Sequence, residues 1–439
     1  MKKTLTNNRH AIGATVCRLF LTIALAITLA GCRQQGRSKL YNPSVVNFRV
    51  GYNSFLDGRL YPSLLMGSDQ LNNPSYASND TNALFAISVT APASNAVLRV
   101  SIDSTSLNYV TIIQEVMPVK GKSYTFYPMV KWKYDKLYRT RQQGNIDFTF
   151  TCFVNDEEVD VKNIRLNYRS ANECLLSVRD KNGHNHDFRW MFAAYVNEEH
   201  PYIDSILSTI LQQGVVSAIT GYQKNNATVI SQVEAIWYYA LEHGISYSSI
   251  SCTSNPSTTT NVQHIRFFDE VYNSRQANCI DACVFFASIM RKIGLKPIIF
   301  VEPCHAYLGY YTDKNRRQLK LLETTITSWV DFPALTKNYN EIVASNPDVT
   351  GRERISEAMN EKYCRYLTDA QKNRWEDGSM TFDQFKRAVA HHLFLRATEY
   401  DLETYTNNKA NFANPNNMQY QLLDIEALRK VVRPISGDL

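Results

Sequence analysis

An apolar segment at residues 279–290 is the feature that most constrains the fold of this 439-residue chain. Its residues are apolar on nearly every side of a helix, which predicts a helix buried all round. Asn278 precedes it as a candidate N-cap, and Gly294 and Pro297 follow as a C′ residue and a helix breaker. We therefore expect a helix that starts at Cys279 and lies at the centre of a domain.

The position of Cys279 at the start of this helix gives its side chain a particular chemistry. Unpaired backbone N–H groups and the positive end of the helix dipole gather at a helix N-terminus. Both stabilise a thiolate, which is the nucleophilic form of cysteine. Cysteine in an apolar helix is more often a packing residue, so Cys279 needs partners before it indicates a site.

A predicted hairpin supplies candidate partners for the thiol. After a strand at 298–302, a second strand runs over 305–311 and a third over about 318–324. If the turn is centred on Lys314, His305 lies directly opposite Glu323. Opposed cross-strand residues have Cβ atoms roughly 4.5–5.5 Å apart, so this carboxylate would hold the imidazole in one tautomer.

Cys279, His305 and Glu323 follow the order of nucleophile, base and orienting acid in an activated-thiol site. If the turn is longer or shorter than assumed, Asp331 or Glu302 is the alternative orienting acid. The sequence therefore predicts a catalytic triad that spans a helix start and a hairpin.

Residues 275–325 resemble the transglutaminase-like core of the papain-like superfamily. In that pattern a cysteine opens a buried helix, a His-Ala-aromatic strand follows, and an acid lies on the next strand. By this resemblance Cys279 matches the nucleophile, His305 the base and Glu323 the acid. The chain departs from the pattern in having Ala277 where the family usually has glycine, Tyr307 where it often has tryptophan, and glutamate where it commonly has aspartate.

The resemblance implies a cysteine peptidase or amidase, or an acyl transferase, that acts on peptide, isopeptide or glutaminyl amides without a cofactor. Its substrate would be a peptide, a protein or a cell-wall peptide. Gln263 and Asn278 are polar candidates for stabilising an oxyanion. The alternative from another class is a non-catalytic surface-binding lipoprotein that keeps the transglutaminase-like fold.

The cysteines allow two further interpretations. A zinc site could use Cys279, Cys283, Cys304 and His305. Because the sequence has no paired CxxC knuckles and this spacing fits a tetrahedron poorly, we expect no metal. Cys152 and Cys174 could form a disulfide or remain free, and the sequence leaves both open.

The N-terminus has the pattern of an export signal. Basic residues precede an apolar stretch at 19–29, which is too short for a comfortable membrane span and ends in Leu29-Ala30-Gly31-Cys32. This ending resembles the bacterial lipobox, which implies a signal peptide at 1–31, lipidation of Cys32 and a tether at 32–45. We therefore expect a protein of the bacterial cell envelope, lipid-anchored on the periplasmic or cell-surface side; an uncleaved anchor helix is the alternative.

Removal of this segment also changes the charge balance. Residues 1–31 contain four basic and no acidic residues, so the formal charge falls from +6 to +2. A nearly neutral mature chain without basic blocks does not favour nucleic acid as a partner.

The rest of the sequence predicts the domain organisation. Short alternating segments over 46–180 favour an antiparallel, immunoglobulin-like β-sandwich. A turn-rich junction at 181–187 follows, where His184, His186 and Asp187 form either a polar loop or a metal site, the loop being favoured. The transglutaminase-like (papain-like) α+β core is expected at 181–335, and a helical C-terminal part, at 336–439, is expected to pack on it. The predicted fold class is thus α+β.

Overall fold

The computed structural model describes residues 41–52, 56, 58–69, 84–180, 182–249, 258–417 and 419–436. The predicted signal peptide at 1–31 and the lipidation site Cys32 lie outside the described residues. Across these described ranges, no helix combines the length and the apolar character needed to cross a membrane. The described chain mixes helices with several sheets, so the predicted α+β class is confirmed.

The strands are numbered in chain order. They are β1 Arg49–Tyr52, β2 Arg59–Leu60, β3 Phe85–Thr90, β4 Ala96–Ile102, β5 Thr111–Met117, β6 Ser123–Phe126, β7 Gly144–Val154, β8 Glu157–Tyr168, β9 Glu173–Arg179, β10 Asn185–Asp187, β11 Ser246–Tyr247, β12 Thr260–His264, β13 Gln276–Ala277, β14 Pro297–Glu302, β15 His305–Tyr311, β16 Leu319–Leu322 and β17 Gln421–Asp424.

The α-helices are numbered in the same way. They are α1 Pro43–Val46, α2 Pro62–Asp69, α3 Tyr134–Arg139, α4 Phe192–Tyr195, α5 Tyr202–Gln212, α6 Asn226–Glu242, α7 Phe268–Ser274, α8 Cys279–Lys292, α9 Phe332–Ser345, α10 Glu357–Cys364, α11 Asp369–Glu376, α12 Phe382–Glu399, α13 Leu402–Ala413 and α14 Ile425–Leu428. Short 3-10 helices cover Arg189–Met191, Thr324–Trp329 and Gly351–Arg354.

Two sheets form the N-terminal part of the described chain. One has the strand order β1-β3-β6 and the other β2-β8-β7-β4-β5. Alternate residues of β3 and β4 are buried, as expected for strands that turn one face to a core. Phe85 of β3 lies 5.0 Å, between ring centroids, from both Phe148 and Phe150 of β7, so the two sheets pack through aromatic side chains. All strand pairs in these sheets are antiparallel except β2 with β8.

A third sheet joins the two predicted domains. Strand β9, at the end of the range 46–180, pairs with β10 on one side and with β12 on the other. Cys174 of β9 and Cys152 of β7 are both buried free thiols, which leaves no disulfide between them. Independent folding of the two parts on either side of the 181–187 junction stays a prediction. A chain cut at this junction would leave β12, on the C-terminal side, without its partner strand β9.

Helix α8 has the position and the ends that the sequence predicts. Asn278 Oδ1 accepts a hydrogen bond from the Asp281 backbone N–H at 2.9 Å, and Asp281 in turn accepts from the Asn278 N–H at 3.0 Å. All residues from 280 to 290 are buried. Gly294 follows the helix with φ of +80°, the left-handed conformation that ends many helices.

A four-stranded antiparallel sheet with the order β16-β15-β14-β17 packs against α8. Strand β17 comes from the C-terminal segment that was expected to pack back onto the core, and it pairs with β14. The predicted strand at 305–311 agrees with β15, whereas β16 ends at Leu322, before the predicted end at 324.

The predicted register of this hairpin is wrong. Leu308 is opposite Leu322 and Gly309 opposite Leu321, which extrapolates His305 to a position opposite Thr325 rather than Glu323. The cause is the turn. Its Asp313 carboxylate accepts backbone N–H bonds from residues 315, 317 and 318, which moves the centre of the turn from Lys314 to the next residue.

A chain that starts at Asp187 tests the predicted domain boundary. It lacks β9, so β12 loses its antiparallel partner and the buried side chains of Leu175 and Val178 leave the core. We expect no cooperative thermal transition from it by circular dichroism, and a cooperative one from a matched chain that starts at Tyr41. A cooperative transition of the shorter chain would show that the sequence-based boundary separates two independent folding units.

Candidate functional site

Cys279 is half-buried at the first position of α8, and the residues around it hold the helix start in place. The cap formed by Asn278 and Asp281 closes the first turn. The fully buried Asp281 also accepts from Arg266 Nη1 at 2.8 Å and from the Arg266 backbone N–H at 2.8 Å. Since this network ties the first turn to the segment before α7, the thiol has a fixed position.

His305 is the first residue of β15, directly after a tight turn. Glu302 of β14 pairs with His305, so Pro303 and Cys304 form a two-residue connection between the strands. Cys304 has φ of +64°. A proline followed by a residue of positive φ is typical of the two central positions of a type II turn. The turn therefore fixes the position of the His305 side chain at the start of β15.

His305 and Glu323 are hydrogen-bonded despite the shifted register. Nε2 of His305 lies 2.7 Å from Oε2 of Glu323. Glu323 is two residues before Thr325, the extrapolated cross-strand partner of His305, so it lies diagonally and on the same face of the sheet. A register shift of two residues preserves the face, and the long glutamate side chain covers the remaining distance.

Glu323 is fully buried, and both of its carboxylate oxygens have donors. Oε2 is paired with His305, and Oε1 accepts from the Thr325 backbone N–H at 2.7 Å, which caps the 3-10 helix Thr324–Trp329. Burial raises the pKa of Glu323, but the hydrogen bonds from His305, Asp401 and Thr325 and the charge on His305 lower it overall. Glu323 is therefore a buried carboxylate.

His305 is protonated at neutral pH. Burial lowers the pKa of His305, but hydrogen bonds with Cys279 and Glu323, together with the negative charges of both groups, raise it to about 10. A cation beside a thiol favours the thiolate. The structure thus brings the Cys279 sulfur, the His305 imidazole and the Glu323 carboxylate, the three predicted triad groups, together.

Asp401 is a residue of the site that sequence analysis did not identify. It lies between α12 and α13, with Oδ1 3.9 Å from His305 Nε2 and a side chain that is 6% exposed. Burial and the neighbouring Glu323 carboxylate raise the pKa of Asp401 to about 8. A lone acidic residue before a helix looks like an ordinary cap, so the sequence contains no local signal of this contact.

The other candidate acids lie elsewhere or bind differently. Asp331 caps α9 by accepting from the Ala334 N–H at 2.9 Å. Glu302 is the direct cross-strand partner of His305, and burial raises its pKa although the charge on His305 lowers it. Of the three candidate acids, Glu323 is the one hydrogen-bonded to His305.

The two oxyanion candidates have other hydrogen bonds. The Asn278 side-chain oxygen caps α8, and Gln263 Nε2 donates to the His264 carbonyl at 3.1 Å. The backbone N–H of Cys279 belongs to the first helical turn, where N–H groups lack intrahelical acceptors. This N–H is the donor that lies nearest to the thiol along the chain.

Tyr247 lies at the edge of the site. Strand β11 pairs with β13, directly before α8. Burial and the charges of Cys279 and Glu323 raise the pKa of Tyr247, whose side chain is nevertheless exposed. Residues 250–257, which follow β11, lie outside the described residues.

The residues weighed as metal ligands in the sequence analysis lie in different surroundings. Cys283 is fully buried with its thiol 4.0 Å from Thr324 Oγ1, whereas Cys304 is exposed. His184 and His186 both pair with Asp180 Oδ2 in an exposed turn, at 3.4 and 3.1 Å. In the described part of the chain, the group with the spacing of metal ligands is that of His305, Glu323 and Asp401.

Comparison with known proteins does not identify a family. No protein-family model matches the chain, and no curated protein sequence matches it. The residues of the site are therefore the basis for assigning a function.

The charge on His305 leads to a prediction about stability. The folded protein holds the His305 proton with a pKa of about 10, above the ordinary value of 6.5. This contribution to stability is complete below pH 6.5 and is lost as the pH rises through about 10. We expect the urea midpoint to fall less between pH 7 and pH 10 in His305→Gln than in the wild type.

His243→Gln is the matched control, since His243 is half-buried and its ring hydrogen-bonds the Tyr239 carbonyl rather than a carboxylate. Equal falls in the wild type and both variants would contradict a protonated His305.

Proposed function

We propose that this chain is an exported, lipid-anchored cysteine hydrolase with an immunoglobulin-like β-sandwich and a transglutaminase-like domain. The observation that carries the proposal is the placement of His305 between the Cys279 thiol and the buried Glu323 carboxylate, with Nε2 2.7 Å from Glu323 Oε2. The substrate class is an amide of a peptide, a protein or a cell-wall peptide. The resemblance of residues 275–325 to the transglutaminase-like core supports this choice.

In the first step, the thiolate sulfur of Cys279 attacks the amide carbonyl carbon and the carbonyl oxygen becomes an oxyanion. The helix dipole and the first-turn N–H of Cys279 favour negative charge at this place. The C–N bond then breaks, and protonated His305 gives its proton to the leaving amine. The product is an amine and a thioester on Cys279.

In the second step, neutral His305 removes a proton from water, and the oxygen of this water attacks the thioester carbonyl. The C–S bond breaks, so the carboxylic acid leaves, and the thiolate and imidazolium return. Glu323 fixes the imidazole orientation and stabilises its charge throughout. The sum is an amide and water converted to a carboxylic acid and an amine; a second amine in place of water would give acyl transfer.

Substitution of the triad tests the proposed chemistry. Cys279→Ala and His305→Ala should lower kcat/KM for a hydrolysed peptide amide by about 10⁴-fold or more, because nucleophile and base act as a unit. Glu323→Gln keeps the shape and a hydrogen-bonding group, so it should cost less. Release of amine from a library of peptide and cell-wall peptide amides provides the measurement.

Cys304→Ser is the matched control, since Cys304 is exposed and adjoins His305 but has no place in the mechanism. Mass spectrometry of peptides labelled by iodoacetamide should show Cys279 alkylated faster than Cys364, another partly buried thiol. Alkylation of Cys279 that is slow and unaffected by His305→Ala, with no turnover, would favour the non-catalytic binding lipoprotein instead.

The lipobox-like ending predicts the anchor. Cys32→Ala should remove the lipid attachment and give unprocessed precursor or protein released from membranes. Fractionation of cells and the mass of the N-terminal peptide measure this. Cys17→Ala, within the same signal segment, should leave processing unchanged. A mature N-terminus elsewhere, without lipid, would overturn the anchor.

A further inference from the structure

A second carboxyl group lies against the His305–Glu323 pair and has no part in the mechanism above. Asp401 belongs to the C-terminal helical part, 78 positions after Glu323 in the numbering of the chain. Its Oδ1 is 3.9 Å from His305 Nε2, and the neighbouring Glu323 carboxylate helps to raise the pKa of Asp401. Ligand atoms of the three side chains all lie within 4.8 Å of one another.

The Asp401 carboxyl is buried with one oxygen unsatisfied. Its side chain is 6% exposed, and no described residue donates a hydrogen bond to Oδ2. An ionised carboxyl group in that position has a buried acceptor without a partner, which is costly. A protonated carboxyl group avoids the buried charge, and the Glu323 carboxylate is the neighbouring acceptor for its O–H.

We propose that Asp401 is a positioning residue that acts as a carboxylic acid, donating a hydrogen bond to Glu323 and thereby holding the carboxylate against His305. The proposal rests on the proposed function for its catalytic meaning, since it makes the orienting group of the hydrolase an Asp–Glu pair instead of a single acid. It also assigns the C-terminal helices a direct part in the site.

The arrangement makes the site sensitive to alkaline pH. Burial and the Glu323 carboxylate raise the pKa of Asp401 to about 8, so Asp401 loses its proton above that pH. The titratable groups of the described residues that interact electrostatically with Asp401 are His305, Glu323, Glu302, Tyr307 and Cys283. Since His305 is the cation among them, an ionised Asp401 competes with Glu323 for the imidazolium.

The fold explains why Asp401 is held in this place. The Glu323 backbone N–H donates to the Ala397 carbonyl of α12 at 2.9 Å. This bond fixes the end of α12 beside the carboxylate, and Asp401 follows α12 after one further residue. The Tyr405 backbone N–H then donates to the Asp401 carbonyl at 2.8 Å, so the start of α13 fixes the residue from the other side.

Alkylation of Cys279 by iodoacetamide, followed from pH 6 to pH 10, tests the proposal without any substrate. We expect the wild type to show an inflection near pH 8, from ionisation of Asp401, that Asp401→Asn lacks. Asp401→Ala removes the donor and should lower the rate at pH 7 by roughly tenfold, as for loss of a hydrogen bond to a charged group. Asp401→Asn retains an N–H donor and should recover much of this loss.

The His305 imidazole provides an independent measurement. In protein with labelled histidine, its nitrogen shifts should report the same inflection near pH 8 in the wild type and none in Asp401→Asn. Asp331→Asn is the matched control: Asp331 also precedes a helix, asparagine is an equally good cap, and both profiles should match the wild type.

Two results would overturn the proposal. Identical alkylation and imidazole profiles in the wild type, Asp401→Asn and Asp401→Ala would show that Asp401 is a spectator. A divalent ion recovered with the purified wild type, and lost in both Asp401 variants, would show that the three side chains are ligands. Failure of the proposed function is a separate result, because it appears as absent turnover while the alkylation and imidazole profiles are unaffected.

Discussion

The hydrogen bond between His305 and the buried Glu323 carboxylate is the interaction on which the rest of the site depends. A carboxylate away from water is stable only when its oxygens have donors. Thr325 satisfies one oxygen of Glu323 and the imidazolium the other, so the negative charge keeps His305 protonated. The cation then lies beside the Cys279 thiol. Removing either partner would leave the other charge without its counter-ion, so we expect substitutions of the two residues to have non-additive effects.

Three parts of the chain hold this pair and the Cys279 thiol in position. The capped start of α8 fixes Cys279, the turn at Pro303 and Cys304 fixes the point where His305 leaves the sheet, and α12 holds the backbone of Glu323. Strand β17 pairs with β14 from the opposite side of the same sheet. The C-terminal part therefore completes both the sheet and the site, and it is more than a helical layer packed on a finished core.

The sequence predicts the elements of the site better than their exact contacts. Capping and apolar periodicity are local signals, so they define α8 and β15. The predicted hairpin register is wrong because the turn residue Asp313 accepts three backbone N–H bonds. The apolar periodicity of the strands carries no information about bonds within the turn. His305 and Glu323 nevertheless lie on the same face of the sheet, because the register differs from the predicted one by two residues, an even number. Asp401 could not be predicted, since its contact with Glu323 depends on how α12 packs.

The two acids beside His305 also bear on the choice between a hydrolase and a binding protein. Burying Glu323 and Asp401 costs free energy, and well-packed apolar residues in place of a buried ionic group are often neutral or stabilising. A chain that needed this region only for its shape would have no reason to keep the buried acids. A charged imidazole that gives and takes protons needs a fixed carboxylate, and a fixed carboxylate needs donors. Proton transfer at His305, as we propose it, would account for the cost of the cluster, and this supports the proposed hydrolase over a binding protein.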